Sequence, residues 1–300
     1  MSAISFSIII PHKNIPDLLQ RCLDSIPIRE DIQVIVVDDN SSPDVVDFEH
    51  FPMWEGTHYE YYLTKEGKGA GYARNIGLSK AKGEWVLFAD ADDFFSSDLG
   101  QILNQAEQSK SDLIFFDHKS VLSEDISVQT IRSNELSLFI KAYLNGNQDE
   151  SNLRFNYNIP AGKIIKRDII SRHDIRFSET RWSNDIFFSA QVGCWAKQIE
   201  VSGVVGYVMT VREGSLVSDF CGTREEFLVR LSEALKTERS IRKRGFQQNI
   251  KESYNLLKYV WDTKSERWYV KTGLSYLYHF HFRVFLTMAW FIVKRIVKSR

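Results

Sequence analysis

Three carboxylates follow a hydrophobic segment in the sequence WVLFADADDFF, residues 85–95. Asp90, Asp92 and Asp93 lie so close along the chain that their charges repel, and such clusters persist mainly where a cation offsets the repulsion. Carboxylate oxygens are ligands that Mg²⁺ and Mn²⁺ prefer, and substrate phosphates can complete the coordination. The cluster therefore predicts a hard-metal site. The alternative is a solvated turn that opens a helix near residues 96–99.

Two other strand-like segments are also followed by special or polar residues. Pro11 comes directly after SFSIII, and Asp39 closes the segment DIQVIVVDD. These segments, like EWVLFA before Asp90, are short and apolar, which is typical of strands buried on both faces of a parallel sheet. The carboxyl ends of parallel strands meet at one edge, where ligands bind in α/β proteins. This convergence favours the functional interpretation of the aspartate cluster.

The segments between these strands have the patterns of helices. After the first strand, one apolar face with a 3.6-residue period contains Leu18, Leu19, Cys22, Leu23 and Ile26. YEYYL predicts a further strand, and a Gly-rich turn precedes a predicted helix over 70–81. Strands that alternate with helices predict an α/β fold with a parallel sheet. The sequence has neither G-x-G-x-x-G after its first strand nor a P-loop motif, which weighs against dinucleotide oxidoreductases and P-loop enzymes.

Several segments together resemble the family 2 glycosyltransferases, which have the GT-A fold. The resemblance covers residues 4–218 and rests on SIIIPHKN, CLDSI, VIVVDDNSS, GAGYARNIGLSKAKGEWVLFADADD, NDIFF and GYVMTVREGSLVS, in this order. It implies an α/β fold with a Rossmann-like, mostly parallel sheet flanked by helices. It also implies a nucleotide-sugar-binding half, an acceptor-binding half, and inverting transfer of a sugar from a nucleotide-activated donor.

The same resemblance assigns residues to the donor nucleotide. Asp39 would hydrogen-bond the uracil or other base, and Pro11 and Arg74 would line the nucleotide site. Asp90 matches the first carboxylate of the D-x-D motif, and Asp92 would approach the ribose. From the residues alone, Arg74 could instead be a solvated salt-bridge partner on a helix surface. The glycines that precede it favour donor binding, because they allow close backbone approach to a ligand.

The resemblance also assigns a metal site and a catalytic base. Asp92 and Asp93 match the positions that hold Mn²⁺ or Mg²⁺ on the diphosphate, and Asp185 matches the carboxylate that acts as general base. A single in-line displacement needs one base and no nucleophilic carboxylate, and it inverts the anomeric centre. From the residues alone, Asp185 could lie in the first turn of a helix capped by Ser183 or Asn184, where an acid complements the helix dipole.

Four further residues are candidates for contacts with the acceptor or the diphosphate: Trp182, Asn184, Arg212 and Ser215. The last two belong to the segment REGSLVS, which we expect to close over the diphosphate. Trp182 could stack on an acceptor sugar, and a place in the hydrophobic core explains it equally well.

Length and composition are those of a globular chain. The 300 residues are 43% hydrophobic and 26% charged, and the net charge of −1 argues against a general nucleic-acid-binding protein. Cys22, Cys194 and Cys221 are odd in number and widely spaced, so they predict neither a disulfide framework nor a zinc site. We expect a cytoplasmic protein in a reducing compartment.

The predicted organisation has three segments: a nucleotide-sugar-binding half over 1–118, an acceptor-binding half of the same domain over 119–220, and a C-terminal helical extension over 221–300. The extension ends in a basic, aromatic tail over 274–300. Its uncharged run, 284–293, is far shorter than the roughly 20 residues that span a bilayer. We expect the tail either to contact the inner face of the membrane or to pack on the protein body or on a second subunit, as in a homodimer.

Residues and resemblance together predict a metal-assisted inverting glycosyltransferase. It would move a single sugar from a nucleotide-sugar, preferably a UDP-sugar, to a hydroxyl of a surface polysaccharide or a lipid-linked oligosaccharide acceptor. The alternative is a non-catalytic sugar-nucleotide-binding partner subunit of a glycan assembly complex, and the position of Asp185 distinguishes the two. A nucleotidyltransferase, the third hypothesis, would release pyrophosphate instead of a nucleoside diphosphate.

Overall fold

The computed structural model describes most of the chain, namely residues 3–146, 150–212 and 223–246 and single positions between 253 and 275. Ser215 and, apart from Ser275, the tail 274–300 lie outside the described residues. The chain divides into two compact units, Met1–Ser218 and Asp219–Arg300. The predicted division of the first unit at residue 118 into donor and acceptor halves stays a prediction.

Among the described residues, eight strands form one sheet. They are β1 (Phe6–His12), β2 (Ile32–Asp38), β3 (His58–Leu63), β4 (Trp85–Phe88), β5 (Phe94–Phe95), β6 (Leu113–Leu122), β7 (Lys163–Lys166) and β8 (Ile199–Val211). The spatial order is β3-β2-β1-β4-β7-β6-β8-β5. Strands β1 to β4 pair in parallel, as do β6 and β8. This confirms the prediction of an α/β fold with a mostly parallel sheet.

Helices cover both faces of the sheet. They are α1 (Pro16–Asp24), α2 (Ala70–Lys80), α3 (Leu99–Gln108), α4 (Asn134–Leu144), α5 (Arg167–Arg172) and α6 (Ile186–Trp195). The second unit contains a further helix, α7 (Arg224–Lys243). Ile8 and Ile10 of β1 pack in one hydrophobic cluster with α1 and α3, whereas Ile9 packs in a second cluster with α2, α4 and α6. Within the described part of the chain, no helix is long and apolar enough to span a membrane.

The parallel strands agree with the sequence prediction, with one difference at Pro11. Every residue of β1, β2 and β4 is buried, as expected for strands covered by helices on both faces. The sequence predicts that the first strand stops at Pro11, but β1 continues to His12. β4 pairs with β1 only as far as Ile9, so at Pro11 the only neighbouring strand of β1 is β2. A proline, which has no N–H to donate, is tolerated at such an edge position.

An antiparallel strand joins the two parallel groups. β7 lies between β4 and β6 and pairs antiparallel with both. β5 directly follows Asp93 and pairs antiparallel with β8, at Phe94↔Val208 and Phe95↔Tyr207. The predicted helix opening at 96–99 is therefore only partly right, because α3 begins at Leu99 and a short strand precedes it. This pairing brings β8 against the aspartate cluster.

Candidate functional site

Hydrogen bonds to Asp38, the last residue of β2, hold the turn that presents Asp39. Asp38 Oδ2 accepts a hydrogen bond from Ser41 Oγ (2.6 Å) and pairs with His12 Nδ1 (2.7 Å), and Oδ1 accepts one from Ser41 N (2.8 Å). Burial raises the pKa of Asp38, but the hydrogen bonds from His12 and Ser41 outweigh this effect and lower the pKa overall. The ionised carboxylate is thus the form that stabilises the turn.

Asp39 has one carboxylate oxygen ready for a ligand. Its Oδ2 accepts hydrogen bonds from Gly69 N (2.9 Å) and from Lys13 Nζ (3.4 Å). Its Oδ1 is buried and has no hydrogen-bond partner in the structure. A buried acceptor without a donor is costly, which favours a ligand N–H at this position. Pro11 is buried in the neighbouring strand β1. The predicted contact of Asp39 with a nucleobase stays a prediction, and its geometry supports it.

Arg74 of α2 connects the D-x-D motif to the segment that precedes α6. Its Nη2 donates to Asp90 Oδ1 (2.5 Å), and its Nη1 donates to Asn184 Oδ1 (2.9 Å). The guanidinium also lies over the ring of Phe177, 5.3 Å from its centroid. Arg74 is only 5% exposed, so its interpretation as a solvated surface residue is wrong. The side chain instead bonds to Asn184, which is 110 positions away in the sequence.

Gly71 allows α2 to approach the segment 178–184. A Cβ at this position would lie 2.1 Å from Ser178 O and 3.0 Å from Asn184 Cβ. One turn further along α2, Asn75 donates to Phe177 O (3.1 Å) and accepts from Phe177 N (2.9 Å). The prediction that the glycines admit a ligand is therefore incorrect for Gly71, whose close neighbour is the protein's own backbone.

Asp185 lies at the start of α6 and differs from the predicted capping arrangement. It is itself the N-cap residue, and its side chain makes no capping hydrogen bond. Ser183 adopts a positive φ of 52°, and the Asn184 amide is engaged by Arg74. The pKa of Asp185 is raised, chiefly by burial. The positive charge of Arg74 and, to a smaller extent, that of Lys163 oppose this shift, and the negative charge of Asp90 adds to it. A half-buried carboxylate with a raised pKa is suited to accept a proton.

Asp90 and Asp92 have the most exposed side chains of the aspartate cluster. Their side chains are 42% and 24% exposed, and each pairs with an arginine: Asp90 with Arg74, and Asp92 Oδ2 with Arg212 Nε at 3.2 Å. Within the described residues, no three acidic, histidine or cysteine side chains are grouped as a metal site. Two carboxylates nevertheless fit Mg²⁺ or Mn²⁺, because these ions take much of their coordination from substrate phosphates and water.

Asp93 is turned into the protein. Its side chain accepts hydrogen bonds from Thr210 N at Oδ1 (2.6 Å) and from Tyr207 Oη at Oδ2 (2.9 Å). The residue is 3% exposed, so the alternative of a solvated turn is wrong here. Burial and the charges of Asp92 and Asp90 raise the pKa of Asp93. The predicted role of Asp93 as a metal ligand stays a prediction, and these contacts weigh against it.

The four predicted acceptor and diphosphate residues belong to two segments of the sequence, one before α6 and one after β8. Trp182 and Asn184 belong to the segment that leads into α6, where the Arg181 guanidinium lies 5.0 Å from the centroid of the Trp182 ring. The half-buried Trp182 indole is compatible with either predicted role. Arg212, by contrast, follows β8 and contacts Asp92. Only Ser215 falls outside the described residues.

Sequence reasoning missed several residues that hold the site. Arg21 of α1 and Thr210 of β8 both donate to the carbonyl oxygen of Asp92, each at 2.7 Å. Lys163 of β7 is buried, donates to Tyr157 O (2.7 Å), and has a pKa that burial lowers to about 7. No motif spacing identifies these residues, because they come from elements that only the fold brings together.

A family model describes the residues that carry this arrangement. The model of "Glycosyl transferase family 2" matches residues 7–173, more than half of the chain. The chain belongs to this family. The match includes β1, α2, β4 and the D-x-D motif, and it ends before Asp185. The predicted family is therefore confirmed, and the residue roles remain to be tested.

Curated relatives in this family are longer than the chain. The chain is 26% identical over 242 residues to a poly(ribitol-phosphate) beta-glucosyltransferase of Bacillus spizizenii, covering 75% of this chain and 36% of the relative. It is 26% identical over 234 residues to the poly(ribitol-phosphate) beta-N-acetylglucosaminyltransferase TarS of Staphylococcus aureus, covering 75% and 39%. The chain thus spans less than two-fifths of the length of these two relatives.

Solved structures show the same fold. TarS residues 1–349 in complex with UDP-GlcNAc superpose with a TM-score of 0.62 at 20% identity, covering 90% of this chain and 79% of that chain. A mannosyltransferase from Pyrobaculum calidifontis in complex with GDP-Man and Mn²⁺ has a TM-score of 0.51 at 16% identity, covering 97% and 80%. These similarities confirm the predicted GT-A fold.

Proposed function

We propose that the chain is an inverting glycosyltransferase that moves a single sugar from a UDP-sugar to a hydroxyl of a surface polysaccharide or a lipid-linked oligosaccharide. The observation that carries the proposal is the Arg74 bridge, which links Asp90 of the D-x-D motif to Asn184, the residue before Asp185. One buried side chain thereby holds the predicted donor-binding carboxylate and the predicted base in a single site. A protein that only bound the nucleotide would not need the contact between Arg74 and Asn184.

The donor side of the site supports a nucleobase with an N–H group. The free Oδ1 of Asp39 can accept a hydrogen bond from the imide N–H of uracil, whereas the ring nitrogen of cytosine at the same position carries no hydrogen. Lys13 Nζ, beside Asp39, is a donor for a neighbouring carbonyl oxygen of the base. The UDP-GlcNAc complex of the structural relative TarS is consistent with this choice of base.

Asp92, together with Asp90, would hold Mn²⁺ or Mg²⁺ on the diphosphate. When bound, such an ion supplies Lewis-acid stabilisation of the negative charge that develops on the departing diphosphate. The mannosyltransferase complex with Mn²⁺ supports a metal in this fold. Arg212, already in contact with Asp92, adds a second positive charge on the same side of the site.

Asp185 would act as the general base. Its carboxylate accepts the proton of the acceptor hydroxyl while that oxygen forms a bond to the anomeric carbon. The bond between the anomeric carbon and the diphosphate oxygen breaks, and UDP leaves with the electron pair. Because the acceptor oxygen attacks the face of the sugar opposite the departing diphosphate, the configuration at the anomeric carbon inverts. The raised pKa of Asp185 gives it more affinity for this proton than an ordinary aspartate has.

Two relatives support the proposed acceptor class, because their names specify poly(ribitol-phosphate). Poly(ribitol-phosphate) offers free hydroxyl groups, which are the acceptor groups of the proposed reaction. We also propose a cytoplasmic location at the inner face of the membrane, with peripheral contact through residues 274–300. Alternatively, residues 274–300 form the interface of a homodimer.

The test is a product assay with the purified chain, Mn²⁺ and a panel of UDP-sugars on a polyol-phosphate acceptor. Release of UDP and an inverted linkage in the product are expected, whereas release of pyrophosphate would indicate a nucleotidyltransferase. Asp185→Asn should retain UDP binding and lose transfer. Asp174→Asn is the matched control, because Asp174 is an exposed aspartate in a left-handed conformation that asparagine tolerates. UDP binding without transfer in the wild-type chain would favour the partner-subunit alternative.

A further inference from the structure

We infer that Asp93 is a positioning residue and not a ligand of the metal. Together with Tyr207 and Thr210 of β8, it fastens the turn that presents Asp90 and Asp92. This inference rests on the proposed function, because it assigns a role within the same site. The three residues of this clamp, Asp93, Tyr207 and Thr210, make hydrogen bonds to each other and to the turn. They do not bond to the side chains of Asp90 and Asp92, which pair with arginines and are partly exposed.

Both oxygens of the buried Asp93 carboxylate accept hydrogen bonds from β8. Oδ1 accepts the backbone N–H of Thr210 at 2.6 Å, and Oδ2 accepts the hydroxyl of Tyr207 at 2.9 Å. The residue is 3% exposed, and Tyr207 is 1% exposed. A cation at Asp93 would need room for several further oxygen ligands, because Mg²⁺ and Mn²⁺ are coordinated by about six. Burial of this kind offers no such room.

The Tyr207 hydroxyl connects the two ends of the turn. It donates to Asp93 Oδ2 and accepts a hydrogen bond from Asp90 N at 3.0 Å. The turn is closed independently by Asp93 N, which donates to Asp90 O at 3.0 Å. The Tyr207 ring packs edge-on against Phe95, with centroids 5.5 Å apart, so the hydroxyl is held in place by its ring. One hydroxyl oxygen of β8 thus bonds to both ends of the turn, at Asp90 N and at Asp93 Oδ2.

The backbone of Asp92 is held from two elements. Its carbonyl oxygen accepts hydrogen bonds from Thr210 Oγ1 and from Arg21 Nη2, both at 2.7 Å. Arg21 also donates to Ser123 O at 3.0 Å, which ties α1 to the end of β6. With the carbonyl held by these donors, the Asp92 side chain remains partly exposed and reaches Arg212. The clamp therefore orients both carboxylates through their backbone.

The experiment compares UDP binding with Mn²⁺ and with EDTA by isothermal titration, for the wild type and for Asp92→Asn, Asp93→Asn, Tyr207→Phe and the double variant of the last two. Tyr207→Phe removes a hydroxyl that is no candidate metal ligand. We expect Tyr207→Phe and Asp93→Asn to weaken UDP binding in Mn²⁺ by a similar factor, about tenfold, while Mn²⁺ still strengthens it. The double variant should be no weaker than Asp93→Asn alone. Asp92→Asn should lose the effect of Mn²⁺.

The inference is overturned if Tyr207→Phe binds UDP like the wild type while Asp93→Asn loses the effect of Mn²⁺ as Asp92→Asn does. It is also overturned if the double variant loses as much UDP-binding free energy in Mn²⁺ as the two single variants lose together. Tyr59→Phe is the matched control, because it removes a tyrosine hydroxyl that donates to Pro52 O. Its affinity for UDP in Mn²⁺ should equal that of the wild type.

A second readout is independent of the proposed function. Urea unfolding of the wild type, Asp93→Asn, Tyr207→Phe and their double variant gives a double-mutant cycle for Asp93 and Tyr207 without any ligand. We expect the two substitutions to be coupled, by about tenfold in the unfolding equilibrium constant. If the wild type binds no UDP, the proposed function fails and this cycle alone decides the inference: coupling supports the clamp, and independent effects refute it.

Discussion

Replacing Gly71 and Gly100 by alanine gives a matched pair, because the two glycines are the second residues of α2 and α3. A Cβ at Gly71 would lie 2.1 Å from Ser178 O, whereas at Gly100 it would meet nothing within 4 Å. Both substitutions gain helix propensity, about 0.5–1 kcal/mol. Only Gly71→Ala must displace backbone to fit.

The magnitude follows from the contact. A Cβ atom needs about 3.0 Å from its nearest neighbour, so α2 and the segment 178–184 must separate by about 1 Å. Overpacking of this kind costs about 1–3 kcal/mol, which the helix gain reduces to about 0–2.5 kcal/mol. For a chain of this size the melting temperature should fall by no more than about 5 °C. The protein therefore stays folded at assay temperature.

The effect on transfer should be much larger than the effect on stability. The displaced segment contains Asn184 and leads directly to Asp185, and a shift of about 1 Å at a reacting group costs about 10²-fold in rate. We expect kcat for UDP release to fall by about this factor in Gly71→Ala, with a small change in UDP affinity. Gly100→Ala should match the wild type in both. If Gly71→Ala turns over as fast as Gly100→Ala, Gly71 does not position the base.

Three other outcomes are expected. Asp185→Asn should lower kcat by about 10²–10⁴-fold in a UDP-release assay and keep UDP affinity, because it removes only the proton acceptor. The kcat/KM of the wild type should rise with pH through the pKa of Asp185, which lies above the ordinary aspartate value, since only the ionised carboxylate accepts a proton. A pH profile with no such step above the ordinary value would contradict the base assignment. Asp39→Asn should weaken UDP binding about tenfold in isothermal titration, because it replaces a charged acceptor by a neutral amide. Unchanged affinity would mean that the uracil of UDP does not contact Asp39.

The parallel part of the fold could be predicted because its signals are local. The strands that end near Pro11, Asp39 and Asp90 are short apolar segments, and each is separated from the next by a helical pattern or a turn. Right-handed crossovers then bring their carboxyl ends to one edge. The position of these residues at a common edge follows from topology and not from any long-range contact.

The remaining parts of the site depend on contacts that no local pattern records. Arg74 bonds to a residue 110 positions away, and the partners of Asp93 are 114 and 117 positions away. Adjacent carboxylates with the same sequence context also have opposite environments: Asp92 is partly exposed and Asp93 is buried. Sequence alone treats them as equivalent members of one cluster, whereas the pairing of β5 with β8 decides which one is turned inward.

Strand β8 connects the predicted donor half over 1–118 with the predicted acceptor half over 119–220. The donor-side turn at Asp92 is held by Thr210 of β8, and the same strand leads into Arg212, which contacts the Asp92 side chain. Strand β8 belongs to the predicted acceptor half, yet it orients the carboxylates expected to face the diphosphate. Substitutions in β8 should therefore change donor binding, and an acceptor-binding role alone cannot explain why this strand lies against the D-x-D turn.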